Sequence, residues 1–130
     1  MSWALCCKAS ADGVYGLTVR WSLADTPDGT LDRLREYVRD GSHARFTGMD
    51  GLSFKTWRAR AGEWFEGCYV FESDHARAAF QESFTKDAAT SPGSQIVGAA
   101  PIAIEECTIV AVAEGATGFT PSAAYEAEYK

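Results

Sequence analysis

Ten consecutive residues, 14–23, alternate in polarity, with Tyr15, Leu17, Val19, Trp21 and Leu23 on one side and Gly16, Thr18, Arg20 and Ser22 on the other. A period of two rich in apolar and aromatic side chains dictates a strand with one apolar and one mixed face. Such a strand must have its apolar face covered, and the chain that follows supplies the cover. Asp25-Thr26-Pro27-Asp28-Gly29 breaks the strand. Thr26 and Pro27 are placed to serve as N-cap and first helical residue, and Asp28 complements the positive helix end. Leu31, Leu34 and Val38 then recur at three and four residues among charged neighbours, which predicts a surface helix stopped at Gly41. Residues 42–51 read as a loop holding His43.

Residues 52–60 form the second predicted strand and 64–72 the third, joined by the short hairpin Ala61-Gly62-Glu63. On the third, Phe65, Gly67, Tyr69 and Phe71 share one face; Trp64, Glu66, Cys68, Val70 and Glu72 share the other. Ser73 or Asp74 caps a second helix whose stripe is Ala76, Ala79, Phe80, Ser83 and Phe84, ending between Lys86 and Ala89. Residues 95–101 carry no clear period, and Ile96-Val97 fits a short extended piece. Residues 102–113, rich in β-branched side chains, make the fourth strand.

The order is β-α-β-β-α-β, the ferredoxin-like split unit of the α+β class: a four-stranded antiparallel sheet with both helices on one face. Residues 1–113 make one domain, and 114–130 form a tail that is either mobile or laid over a partner. The second face of the sheet, with Phe54, Trp57 and Trp64 among its candidate members, is left bare. Pairing two such faces in a homodimer covers them and encloses a cavity for a small hydrophobic ligand.

Charge narrows the function classes. With 12 basic and 18 acidic residues and a pI near 4.8, the chain lacks the basic surface that nucleic acids or anionic membranes require. No stretch approaches the roughly 20 apolar residues of a membrane span, and the N-terminus lacks a secretory pattern, so a soluble cytoplasmic domain is expected. The four cysteines form no C-x-x-C and stand apart from His43 and His75, so no metal is expected; Cys68 and Cys107 read as small buried residues. There is no G-x-G-x-x-G or phosphate loop, and no cofactor is expected.

The candidate chemistry is sparse. Tyr69, between Phe65 and Phe71, is either a packed ring or a phenol that orients a ligand. Trp57 is a pocket wall or a packed indole. Lys55 shares its face and is costly there unless that face is open to solvent or the ammonium is paired. His43 is a candidate base near neutral pH, whereas His75 falls in a first helical turn that disfavours its protonated form. Arg20 either holds an anionic oxygen or bridges to Glu105 or Glu106, which point to opposite faces of the last strand.

Three stretches, Gly51-Leu52-Ser53-Phe54-Lys55-Thr56-Trp57, Glu66-Gly67-Cys68-Tyr69-Val70-Phe71-Glu72 and Ala76-Arg77-Ala78-Ala79-Phe80, resemble the YdhR-like mono-oxygenases of the dimeric α+β barrel superfamily. Their pattern is a glycine-led K-x-W strand, a G-x-Y-x-F strand and a helix opening with small residues. The resemblance implies a homodimeric, cofactor-independent enzyme, a mono-oxygenase acting on an aromatic or polyketide-like substrate. A polyketide cyclase or isomerase of the same fold and a non-catalytic ligand-binding module are the alternatives. His43, Tyr69 and Arg20 would be base, proton donor and anion stabiliser; Phe54, Lys55, Trp57, Phe65 and Phe71 would line the substrate.

Overall fold

The structure, a computed structural model, describes residues 15–117. The opening residues with Cys6 and Cys7, and the tail from residue 118 onward, lie outside the described residues. Strand β1 (Gly16–Ser22) sits inside a four-stranded antiparallel sheet of order β2-β3-β1-β4, with β2 at Leu52–Arg60, β3 at Trp64–Phe71 and β4 at Ala103–Cys107. That order, with helices between β1 and β2 and between β3 and β4, is the ferredoxin-like arrangement expected from the element sequence.

Register decides which side chains meet. Leu17 lies opposite Tyr69, Val19 opposite Gly67 and Trp21 opposite Phe65 across β1 and β3. Lys55 lies opposite Tyr69 and Trp57 opposite Gly67 across β2 and β3, so all of these share one face. Helices α1 (Thr30–Tyr37), α2 (His43–Phe46), α3 (Asp74–Lys86) and α4 (Pro92–Val97) supply its cover. Leu17, Val19, Trp21, Leu34, Val38, Phe46, Phe65 and Val97 are among the residues of the buried core, each large apolar side chain contributing about 1.5–3 kcal/mol.

Local structure departs from expectation at four places. Helix α1 starts at Thr30 rather than after Thr26, because Gly29 turns the chain with φ +89° and Thr30 Oγ1 donates to the Pro27 carbonyl at 2.8 Å. It does not stop at Gly41. Residues Val38–Ser42 form a π-helical turn that runs into α2, so half of the expected loop is helical. Thr30, Leu34, Val38, Ser42 and Phe46 are buried at steps of four. A regular α-helix would swing such a stripe by about 40° per step, and the wide turn corrects the drift. Residues 92–97 are helical rather than extended. Ser91 caps them by accepting from the Ser94 N–H, Pro92 occupies the first turn and Gly98 closes them at φ +87°, which overrides the β preference of Ile96 and Val97. Strand β4 ends at Cys107 because that residue pairs with Gly16, the first residue of β1; Cys107 is exposed rather than buried.

Helix α3 follows the expected cap and length, with Ser73 Oγ accepting from the Ala76 N–H at 3.0 Å. Its stripe is narrower than expected: Phe80 and Phe84 pack on the core, while Ala79 and Ser83 are exposed. Helix α4 is clasped to the sheet by Trp21, whose Nε1–H donates to Ser94 Oγ at 2.9 Å while Ser94 Oγ donates to the Ala88 carbonyl at 2.6 Å. Gly93 lies flat on that indole, and a Cβ there would stand 2.9 Å from Trp21 Cζ2.

The opposite face corrects two expectations. Trp57 is not on it, and its centre is charged. Glu66 is fully buried, with Oε2 accepting from Arg20 Nε at 2.7 Å and Oε1 accepting from Arg58 Nε. Arg20 also lies 4.7 Å over the Trp64 ring. Arg20 therefore bridges to Glu66, not to Glu105 or Glu106, because Glu66 is directly across the ladder. Phe54, Trp64 and Val70 stay half-buried around this cluster. Burial alone would push the Glu66 carboxyl up, but the hydrogen bonds from Arg20 and Arg58 outweigh it and hold the group below its ordinary value.

Three outcomes are expected. A carboxyl held low stabilises the fold above its ordinary value of 4.5 and loses that contribution as the pH falls through the native value. Glu66→Gln should therefore cost about 1.5–3 kcal/mol at pH 7 and flatten the acid limb below pH 4.5 in urea titrations. Gly93→Ala should cost about 1–3 kcal/mol by displacing Trp21. Gly41→Ala, whose Cβ would meet nothing within 4 Å, should leave the urea midpoint unchanged or raise it.

Candidate functional site

A lysine on the covered face of a sheet is the feature that the packing must accommodate. Strand alternation puts Lys55 and Trp57 on that face, beneath α2 and α3. Gly67 makes this possible: a Cβ there would lie 3.1 Å from Lys55 Cε and 3.3 Å from the Tyr69 ring, so the glycine opens the hollow into which both fold. Nζ rests 3.6 Å from the centroid of Phe46, 4.3 Å from Tyr69 and 4.5 Å from Trp57. Among the described residues no carboxylate pairs with it.

The ring cage continues outward. Phe46 packs edge-on against Tyr69 at 5.7 Å and Trp57 at 6.0 Å, and Phe80 closes over Tyr69 at 5.0 Å. Such contacts contribute about 0.5–1.5 kcal/mol each beyond burial. His43 tilts against Trp57 at 5.8 Å, at the first residue of α2.

Two cavities meet at Lys55. The inner one, about 360 Å³, lies between the sheet and the helices and is lined by Trp21, Arg45, Tyr69, Phe80, Phe84 and Asp87 among others. The outer one, about 700 Å³, runs along β2 beneath α1 and α2 past His43, Phe54 and Arg58. Phe46, Lys55, Trp57 and Phe65 line both and form the partition. These sizes match small-molecule sites, and the mostly apolar walls with a few polar groups suit an aromatic ligand.

Electrostatics at the partition favour an uncharged amine. Burial first, and then the positive charge of Arg45, push Lys55 down to about 6; the three ring faces attract the protonated form and offset part of that cost. Burial pushes the Tyr69 phenol up, so its hydroxyl stays protonated and able to donate throughout the physiological range. The site thus brings together a neutral amine and a phenol, with an imidazole at the outer cavity.

The candidate residues separate accordingly. His43, Lys55, Trp57, Phe65 and Tyr69 are gathered around the two cavities, and Phe54 lines the outer one from the other side of β2. Phe71 is core packing, stacked on Tyr69 at 5.8 Å and lining neither cavity. Arg20 points to the opposite face, lines neither cavity and is engaged by Glu66 and Trp64. His75 is exposed on α3, and Glu106 accepts from Gln81 at 2.8 Å. Phe46 and Arg45 fall in the stretch expected as a loop, and the π turn carries them over the sheet; the four-residue spacing from Thr30 to Phe46 is their signal in the sequence. Among the described residues no group of three or more histidine, cysteine or acidic side chains is arranged to hold a metal, and no helix is long and apolar enough to cross a membrane. No protein-family model and no curated protein matches the chain.

A lysine held low in the native state binds its proton later than in the unfolded chain, so stability should rise with pH from about 6 toward 10.5, by at most about 1.4 kcal/mol per pH unit. Arg35, Tyr37, His43, Arg45, Arg58, Tyr69 and Asp87 share the cavities and set the background. Lys55→Met should remove the slope between pH 6 and 8 in urea titrations while leaving the acid limb from Glu66 intact.

Proposed function

We propose that the chain is a small cofactor-independent enzyme acting on a hydrophobic aromatic or polyketide-like substrate in the inner cavity, with Lys55 as its base. The observation that carries this reading is the amine of Lys55, unpaired with any described carboxylate and walled by Phe46, Trp57 and Tyr69 where two cavities meet. A neutral amine in a dry site removes an acidic C–H proton well, and the ammonium it becomes is then held beside the carbanion it has made. Tyr69 donates to the carbonyl oxygen as negative charge gathers there. His43, tilted against Trp57, relays the proton toward solvent through the outer cavity.

In the mono-oxygenase form of the reaction a substrate methylene loses two hydrogens. Dioxygen accepts the carbanion's electrons, one oxygen atom stays on carbon as a carbonyl and the other leaves as water. In the cyclase form the same carbanion attacks a second carbonyl of the substrate and no oxygen is consumed. The resemblance in the K-x-W and G-x-Y stretches supports the former, together with a homodimer built on the sheet.

One observation favours a second reading. Ring faces that already satisfy the Lys55 head also suit a module that binds a ligand unchanged. Oxygen uptake with anthrone as the probe separates these. Lys55→Met should lower the rate about 10²-fold or more, and His43→Ala by less. Turnover of a poly-β-keto substrate without oxygen would favour the cyclase. Saturable anthrone binding without turnover would favour the binding module and overturn the enzyme reading.

A further inference from the structure

We infer that Lys55 is a covalent attachment point for aromatic aldehydes and ketones, which enter the inner cavity and form an imine with its Nζ. This rests on the reading of the cavity as a substrate site and names the chemical class that site would capture. Lys55 lines both cavities, and the rings of Phe46, Tyr69 and Trp57 stand 3.6, 4.3 and 4.5 Å from its Nζ, so an aromatic carbonyl compound entering the cavity meets the amine among ring faces. No described carboxylate ties the head down. Tyr37, Arg45 and Asp87 from the helical side, and Tyr69 from β3, are the charged and titratable groups that share the inner cavity with it.

The step balances without a further reactant. The amine lone pair adds to the carbonyl carbon, giving a carbinolamine. Its hydroxyl then leaves as water, taking up the hydrogens lost from nitrogen, as C–N becomes C=N. Tyr69, with its ring centroid 4.3 Å from Nζ, carries the hydroxyl that passes a proton to the departing oxygen and regains one from the nitrogen as the C=N bond forms. The apolar walls keep bulk water from reversing the condensation. Burial favours the free amine over the ammonium, which is the form that attacks.

The chain has four lysines, Lys8, Lys55, Lys86 and Lys130, which makes the test selective. The full chain is incubated at pH 7 with 2-naphthaldehyde and cyanoborohydride, and the reduced adduct is mapped by peptide mass spectrometry. Binding of 2-naphthol, a ligand of similar shape with no carbonyl, is measured in parallel. Labelling at Lys55 should exceed that at Lys86 by about tenfold or more, and excess 2-naphthol should suppress it. Lys55→Arg should lose that label and keep the labelling of the other lysines; the wild-type map stands by itself if the variant does not fold. Labelling spread evenly over the lysines, with 2-naphthol still bound, overturns the imine and leaves the cavity reading intact. Even labelling with no 2-naphthol binding overturns both.

Discussion

The structure turns on a lysine placed on the covered side of a sheet. Strand alternation gives Lys55 no choice of face once Trp57 and its neighbours are paired with β3. Burying an ammonium there without a counter-charge is unfavourable, and the fold reduces the cost in three ways. Gly67 removes a side chain from the ladder, Phe46, Trp57 and Tyr69 offer their ring faces, and the helices stand far enough off the sheet to leave a cavity. The last of these explains why α3 has no fully buried residue although Phe80 and Phe84 pack against the core.

The two faces handle ionised groups in opposite ways. On the open face Glu66 is enclosed by two guanidinium groups and a tryptophan, so its charge is matched and the cluster is structural. On the covered face the Lys55 head meets rings and, among the described residues, no carboxylate, so its charge is removed rather than matched. Paired clusters fix a ladder; a lone titratable group beside empty volume is the arrangement that chemistry uses. Arg20 illustrates the distinction. It is suited in type to steady an oxyanion, yet its position in β1 sends it to Glu66.

The sheet was legible because its signals are local and redundant. Alternation marks β1, the Ala61-Gly62-Glu63 turn joins β2 to β3, and Ser73 announces α3. What escaped depended on long-range geometry. Gly41 reads as a helix stop, but the buried stripe from Thr30 to Phe46 continues past it through a π turn, and nothing in a single turn of sequence reveals that. Ile96 and Val97 suggest a strand until Ser91, Pro92 and Gly98 are weighed together as caps. Within the site, Tyr69, Trp57 and Lys55 were visible on their strands, whereas Phe46, whose ring lies nearest Nζ, was hidden in an expected loop.

The π turn also ties the site to the helical layer. Adding one residue to a turn rotates everything beyond it, so the wide turn at Val38–Ser42 sets where His43, Arg45 and Phe46 fall relative to the sheet. Without it, Phe46 would swing off the core stripe and the cage would lose the ring closest to the amine. Lys55 would then be better hydrated and more readily protonated, and the partition between the cavities would lose one wall. A single irregular turn thereby governs the charge of a side chain on a strand it does not adjoin in sequence. A regular helix would pack its own length more simply, but it could not carry the stripe to Phe46. On this reading the irregularity belongs to the site as much as Lys55 does.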